Sequence, residues 1–307
     1  MSVNIDAKLV RDLREKTGAG MMDCKKALVE TNGDFEEAVD LLRKKGLAAA
    51  SKKAGRIAAE GVTAVLVSEN TGTVVEVNAE TDFVARNDKF QDLVKEVLVA
   101  AKSSSTEEDL KSFKTQSGKT VEELITEAVA TIGENITFRR FNNVSVTNGV
   151  IASYVHNAVA PSMGKISVLV AIESEGDKEA LAQLGKMIAM HIAAARPSYL
   201  ESKEVPADIL EREKAIFKET ALQSGKPLNV VEKMIEGRIR KFYEEVVLLE
   251  QEYVIEGKIK VSEVIARTEK ELGAAINLKT FVRYELGEGI EKAESNFAEE
   301  VASMTKN

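Results

Sequence analysis

A chain of 307 residues, 44% hydrophobic and 30% charged, holds enough apolar material for about two packed domains and does not read as disordered. Its formal charge of −8, with Lys and Arg scattered among acids, argues against a groove that tracks nucleic-acid phosphates; the absence of Trp argues against a platform for stacked bases. A lone cysteine, Cys24, excludes an internal disulfide and a thiolate metal cage, and two histidines, His156 and His191, exclude a multi-histidine metal site.

From the N-terminus, no basic region leads into an apolar stretch, and no apolar run approaches the ~18 residues a membrane helix needs. A cytoplasmic protein without membrane contact is expected. Ile5, Leu9 and Leu13 recur at helical spacing, Gly18 and Gly20 punctuate, Leu28 and Val29 fall in a second helix, and Gly33-Asp34 starts a third with Phe35, Val39 and Leu42. The third helix is expected to end near Gly46, with the Ala- and Lys-rich residues 47–61 as linker.

Residues 62–67 and 73–78 alternate apolar and polar around Glu69-Asn70-Thr71-Gly72, a hairpin signature, and a helix is expected over 89–101. Residues 150–155, 166–172 and 178–195 repeat that order. A second echo follows, because Val121-Glu122-Glu123-Leu124-Ile125 leads to Gly133 as Val261-Ser262-Glu263-Val264-Ile265 leads to Gly273, and each then enters a strand, over 136–141 and 278–286. The fold class is therefore α+β, a duplicated strand-strand-helix-helix-strand unit with helices covering one face of each antiparallel sheet.

Between Pro206 and Tyr253 lie two charged helical stretches, with Ile209, Ile216 and Leu222 before a Ser224-Gly225-Lys226-Pro227 turn and Val231, Met234 and Phe242 after it. They read as an antiparallel coiled-coil hairpin. After Gly287-Glu288-Gly289, the residues Ile290, Phe297, Val301 and Met304 are spaced for one face of a terminal helix, which needs a core or a partner to pack on. The domains expected are 1–54, 55–147, 148–286 with the hairpin inserted at about 205–252, and 287–307.

Candidate chemistry is sparse. Gln116-Ser117-Gly118-Lys119-Thr120 ends like a phosphate loop, but Phe113 stands where the motif needs glycine, so Thr120 reads as a helix cap with Glu123 completing a capping box. Glu122-Glu123 and Glu244-Glu245 are neighbours that point to different helix faces, as solvated surface charge does. Cys24 reads as a buried structural residue, and His191, within an apolar helix, as a hydrogen-bonded core histidine. No cofactor, metal or catalytic set is expected, and the chain does not read as an enzyme. Thr81-Asp82-Phe83-Val84 remains, with two readings: Asp82 caps the next helical turn while Phe83 staples it to the core, or the pair forms a probe directed at another protein. The matching connection of the second unit, Glu173-Ser174-Glu175-Gly176-Asp177, is shorter and has no aromatic, so the architecture does not require one.

Three segments carry a family resemblance: Thr17-Gly18-Ala19-Gly20-Met21-Met22-Asp23-Cys24-Lys25-Lys26-Ala27-Leu28, Thr81-Asp82-Phe83-Val84-Ala85-Arg86 and Ile188-Ala189-Met190-His191-Ile192-Ala193. In that order they resemble the elongation factor Ts family, nucleotide exchange factors for the GTPase elongation factor Tu, over essentially the whole chain. The resemblance implies an N-terminal three-helix (UBA-like) module, a core of two related halves, the inserted coiled-coil hairpin and a C-terminal helix. It implies that positions matching Arg14, Met21, Met22 and Lys25 face the GTPase, that the C-terminal helix with Ile290 and Phe297 docks there too, and that His156 is a partner contact. It further implies that Thr81, Asp82, Phe83 and Val84 intrude beside the partner's magnesium and nucleotide site. The partner expected is elongation factor Tu, GDP-bound or nucleotide-free, with the hairpin meeting it or a second copy of this chain. Two stretches depart from the family's pattern: residues 103–119 read as a longer loop, and Pro161-Ser162-Met163-Gly164-Lys165 lacks the expected glycine and arginine content. A non-catalytic adaptor that binds through the N-terminal helices is the rival reading.

Overall fold

The computed structural model of the chain describes residues 5–222 and 228–291, with backbone alone at 221–222 and 228–229. Three helices, α1 (Ala7–Thr17), α2 (Met21–Glu30) and α3 (Phe35–Lys53), enclose a small core of Val10, Leu13, Cys24, Ala27, Leu28 and Ala38. Asp6 and Asp34 cap the first and third by accepting backbone N–H groups, and Gly18 closes the first in the left-handed conformation at φ 66°. The third helix does not stop at Gly46. It continues seven residues to Lys53, because Ala and Lys are strong helix formers. Gly46 is buried, and a Cβ there would meet the Ala130 methyl at 3.4 Å, so the glycine serves a helix crossing rather than a helix end.

The first half of the core follows as β1 (Glu60–Ser68), β2 (Thr71–Ala79), α4 (Asp88–Lys102), α5 (Glu107–Ser112), α6 (Val121–Ile132) and β3 (Thr137–Ser145). The second half is β4 (Gly149–His156), β5 (Met163–Gly164), β6 (Ile166–Glu173), α7 (Lys178–Ala195), α8 (Ala207–Leu222), α9 (Leu228–Val246), α10 (Val261–Leu272) and β7 (Asn277–Glu285). The sheets run β3-β2-β1-β5 and β4-β6-β7, antiparallel throughout, and β5 is a short arm of the second half paired to the edge of the first. Residues 103–119 are not a plain loop: α5 carries a Thr106–Asp109 capping box, and its Leu110 is fully buried. The capping box of Thr120 and Glu123 forms as the sequence predicts.

Helices cover only the outer face of each sheet. The inner faces pack on one another through Val65, Val74, Val144, Ile151, Leu169, Ala171 and Tyr284, while Val62, Val75 and Val77 meet Phe90, Val94 and Val97 of α4, and Val168, Val170 and Ile172 meet Leu181 and Ile188 of α7. The central strands are therefore buried on both sides, which overturns the expected apolar–polar alternation. Polar residues within them find partners instead: Thr63 donates to Gly164 O and Ser167 Oγ, and Thr73 donates to Asn143 Oδ1 at 2.6 Å.

The duplication extends to irregularities. Strand pairing slips by one residue between Glu76 and Val77 in the first half and between Ala171 and Ile172 in the second, leaving Arg139 and Lys279 as the extra residues of the facing strands. Gly61, the second residue of β1, and Gly149, the first of β4, stand at φ 116° and 142°, where an added Cβ would lie 2.3 Å from Val77 O and 2.0 Å from Ile172 O.

In the hairpin, Leu210 and Phe217 of α8 are half-buried while Ile209 and Ile216 are more exposed, and Ile216 shares a cleft with Phe217 and with Met234 of α9. Both pairs have seven-residue spacing, so periodicity alone cannot choose between adjacent faces. Val231 is buried and Met234 and Phe242 are half-buried, while the 224–227 turn and the Leu222 side chain lie outside the described residues. His191 of α7 ties down the chain that returns from the hairpin. Its Nδ1 accepts from the Val254 N–H at 3.3 Å, so Nε2 carries the proton and donates to Gln251 Oε1 at 2.9 Å. Burial pushes its pKa below the usual 6.5, against the raising effect of Gln251. The unfolded state then binds the proton first, so stability is present above about pH 6.5 and is lost as pH falls toward the lower folded value, by at most ~1.4 kcal/mol per pH unit. Urea midpoints measured at pH 7, 6 and 5 should fall, and a His191→Gln variant should be weaker at pH 7 with a flatter profile; equal slopes would remove His191 as the cause.

Candidate partner-binding site

The loop joining β2 to α4 has a fixed base and an open crest. At the base, Thr81 gives its N–H to Glu134 Oε2 at 2.9 Å and its hydroxyl to Glu134 Oε1 at 2.6 Å. Glu80 answers by accepting the Asn135 N–H, and Arg56 joins through its ion pair to Glu80 and its carbonyl to Asn135 Nδ2. Carboxylate acceptors make these bonds stronger than neutral ones. At the loop's other side, Val84 and Ala85 are buried against the core under α4. One tight turn over Val84–Arg86 then leads to Asn87, whose side chain caps α4 by accepting from Lys89 and Phe90 N–H.

Between these anchors only Asp82 and Phe83 face solvent. Phe83 is 82% exposed, well beyond Met22 at 62%, so it does not staple the turn to the core. Asp82 does not cap the helix either: Asn87 holds that role, and the Asp82 side chain has no hydrogen bond among the described residues. Of the four residues expected to act as one motif, Thr81 and Val84 hold the loop while Asp82 and Phe83 present it.

The N-terminal module lies beside this loop. Lys89 Nζ, in the first turn of α4, donates to Gly18 O at 3.1 Å, bringing the α1–α2 turn next to the loop's helix, and Arg43 of α3 pairs with Glu123 of α6. Arg14, Met21, Met22 and Lys25 are all exposed, and Met22, Lys25 and Val29 share one face of α2 by their spacing. Cys24 points the other way, its thiol within 3.8 Å of Ala19 O, and burial raises its pKa, so it is held as an unreactive thiol.

The remaining candidates are separate. His156 is exposed at the end of β4 and its Nδ1 meets Tyr154 OH at 3.1 Å; no hydrogen bond among the described residues ties it to the loop. Ile290 is half-buried, with its N–H on Gly287 O, and Phe297, Val301 and Met304 lie outside the described residues. Among the described residues there is no group of acidic, histidine or cysteine side chains placed to hold a metal, and no helix long and apolar enough to cross a membrane.

Sequence reasoning passed over Glu80 and Glu134, which accept from Asn135 and Thr81 across 55 and 53 residues of chain. A signal existed in the repeat: Ala274 stands where the first half has Glu134, one residue after the capping glycine in each case. A Glu134→Ala variant leaves Thr81 N–H and O–H without their acceptor, so loop order should fall with little change in global stability. Loss of a charged acceptor is worth about 1.5–3 kcal/mol when fully buried and less at this half-buried site. Hydrogen exchange at residues 81–84 checks this, and unchanged protection would show that the clamp is idle.

These observations define a class: an α+β protein of two duplicated halves that presents an aromatic on a clamped loop beside a three-helix module. Residues 80–288 match the family model described as Elongation factor TS. Proteins named elongation factor Ts from Rickettsia felis, Rickettsia rickettsii (strain Sheila Smith) and Rickettsia typhi are 58%, 57% and 56% identical over 305 residues, which is 99% of this chain and 99% of each of theirs. The chain belongs to the elongation factor Ts family, and its place is in translation elongation.

Proposed function

We propose that this chain is a guanine nucleotide exchange factor that binds elongation factor Tu in its GDP-bound and nucleotide-free forms and promotes GDP release. The observation that carries the reading is Phe83, an aromatic almost fully in solvent on a loop held by two carboxylates and two buried apolar residues. An exposed ring on a clamped backbone suits insertion into another protein, because the backbone's ordering cost is met before binding.

GDP on such a GTPase is held by a phosphate cradle and by magnesium bridging protein and phosphate oxygens. Phe83 wedged between the partner's elements, with Asp82 beside it, displaces groups that hold the magnesium. Arg14, Met21, Met22 and Lys25 supply the adjoining contact, with Ile290, Phe297 and His156 as outlying ones. No bond is made or broken by this chain, so exchange is a matter of linkage: whatever factor by which it weakens GDP, GDP weakens its own binding equally.

Calorimetric titration of the GTPase with and without bound GDP tests the linkage. The affinity for this chain should drop in GDP by the same factor as the affinity for GDP drops in the chain's presence. An adaptor that binds through the N-terminal helices alone, as exposed Met21 and Met22 would also allow, predicts an affinity indifferent to nucleotide. Sedimentation with and without the GTPase separates contact of the hairpin with the partner from contact with a second copy.

A further inference from the structure

Glu76 is the most unusual residue of the core: a carboxylate in the middle of β2 with no exposed surface. Its Oε1 accepts from Arg139 Nη1 at 2.8 Å, from Asn78 Nδ2 at 3.2 Å and from the Gly287 N–H at 2.8 Å, and its Oε2 accepts from Arg140 Nε at 2.7 Å. Both arginines continue to the same place. Arg139 donates to Glu288 O, and Arg140 donates to Glu285 O and to a Glu288 carboxylate oxygen while its guanidinium lies 4.2 Å over the Tyr284 ring.

The second half shows what the fold itself requires. It makes the same slip in strand pairing with Ala171 in the position of Glu76, Lys279 in that of Arg139 and Thr280 in that of Arg140. Lys279 merely pairs with Glu173 at the surface. A buried carboxylate between arginines is weak support for a fold, since apolar residues commonly replace such clusters without loss. What distinguishes the first half is the group held at the cluster's end, the turn at Gly287-Glu288, seated so closely that a Cβ on Gly287 would lie 2.4 Å from Ala59 O.

We propose that Glu76, Arg139 and Arg140 form a latch by which the first half fixes the point where the chain leaves the second half. They are positioning residues: they set Gly287 and Glu288, and through the Gly287 carbonyl the Ile290 N–H. The functional consequence rests on the exchange-factor reading, in which Ile290 contacts the GTPase. The latch itself does not.

The test transplants the sister half's residues into the full chain as Glu76→Ala, Arg139→Lys and Arg140→Thr together. Hydrogen exchange at the Gly287 and Glu288 amides should accelerate at least about tenfold while β1 and β2 keep their protection, because the sister half folds with that set. The concentration of variant giving half-maximal GDP release from elongation factor Tu should rise about tenfold with the maximal rate retained. If the triple variant loses protection throughout, Glu288→Ala, a change at an exposed residue that removes the carboxylate held by Arg140, must still accelerate exchange at the Gly287 amide and raise the half-maximal concentration with the maximal rate retained. Unchanged Gly287 protection in the folded triple variant, or in Glu288→Ala where the triple variant does not fold, overturns the latch, and an unchanged half-maximal concentration for Glu288→Ala overturns its functional consequence. Failure of the unmodified chain to release GDP would instead overturn the exchange reading, and the amide measurement would still decide the latch.

Discussion

Replacing Phe83 with alanine should lower stimulated GDP release from elongation factor Tu by about thirtyfold while leaving this protein as stable as before. The two halves of that expectation have separate causes. A phenyl ring buried centrally in a partner is worth about 2 kcal/mol or more as an interface anchor, which corresponds to about thirtyfold. In the free chain the ring is 82% exposed and makes none of the core's contacts, so its removal should change stability by no more than about 0.5 kcal/mol. Asp82→Ala is expected to cost less, since a short carboxylate buries far less apolar surface against a partner than a phenyl ring. Stopped-flow release of a fluorescent GDP analogue, with urea unfolding of the same variants, measures both. A Phe83→Ala protein that exchanged at the full rate would remove the wedge and leave the exchange reading standing.

The largest loss of stability should come from two glycines that do not touch the site. Gly61→Val and Gly149→Val each force a β-branched residue into a backbone region at φ 116° or 142° and place its Cβ against a carbonyl oxygen at 2.3 or 2.0 Å. Strain of 1–3 kcal/mol from the backbone adds to a similar overpacking cost, so about 3 kcal/mol or more is expected at each. The effects should match because the duplication puts both glycines opposite the strand just past its irregularity, beside Val77 and Ile172. Gly55→Ala serves as the control, with nothing within 4 Å of an added Cβ. Urea unfolding in which either valine variant matched the control would contradict the shared geometry.

Local signals proved legible where a residue's neighbours in sequence decide its conformation. The α7 helix over 178–195 and the Thr120–Glu123 cap were readable for that reason, and so were the paired strands around Asn70. Face assignments were less so. Burial of β2 on both sides depends on the second sheet behind it, and how deeply Leu210 and Phe217 are covered relative to Ile209 and Ile216 depends on where α9 lies. Gly46 misled because a glycine at a helix crossing looks like one at a helix end. The candidate loop was legible only in outline: the exposed aromatic could be suspected from its absence in the second half, whereas Glu134 and Glu76 act across more than fifty residues and carry no local pattern.

Release of fluorescent GDP from elongation factor Tu, followed with and without the unmodified chain at rising concentration, tests the central claim most directly. Acceleration by orders of magnitude that saturates with concentration is the predicted result. A release rate that stays at its spontaneous value while the two proteins demonstrably bind would contradict it and leave the adaptor reading in its place.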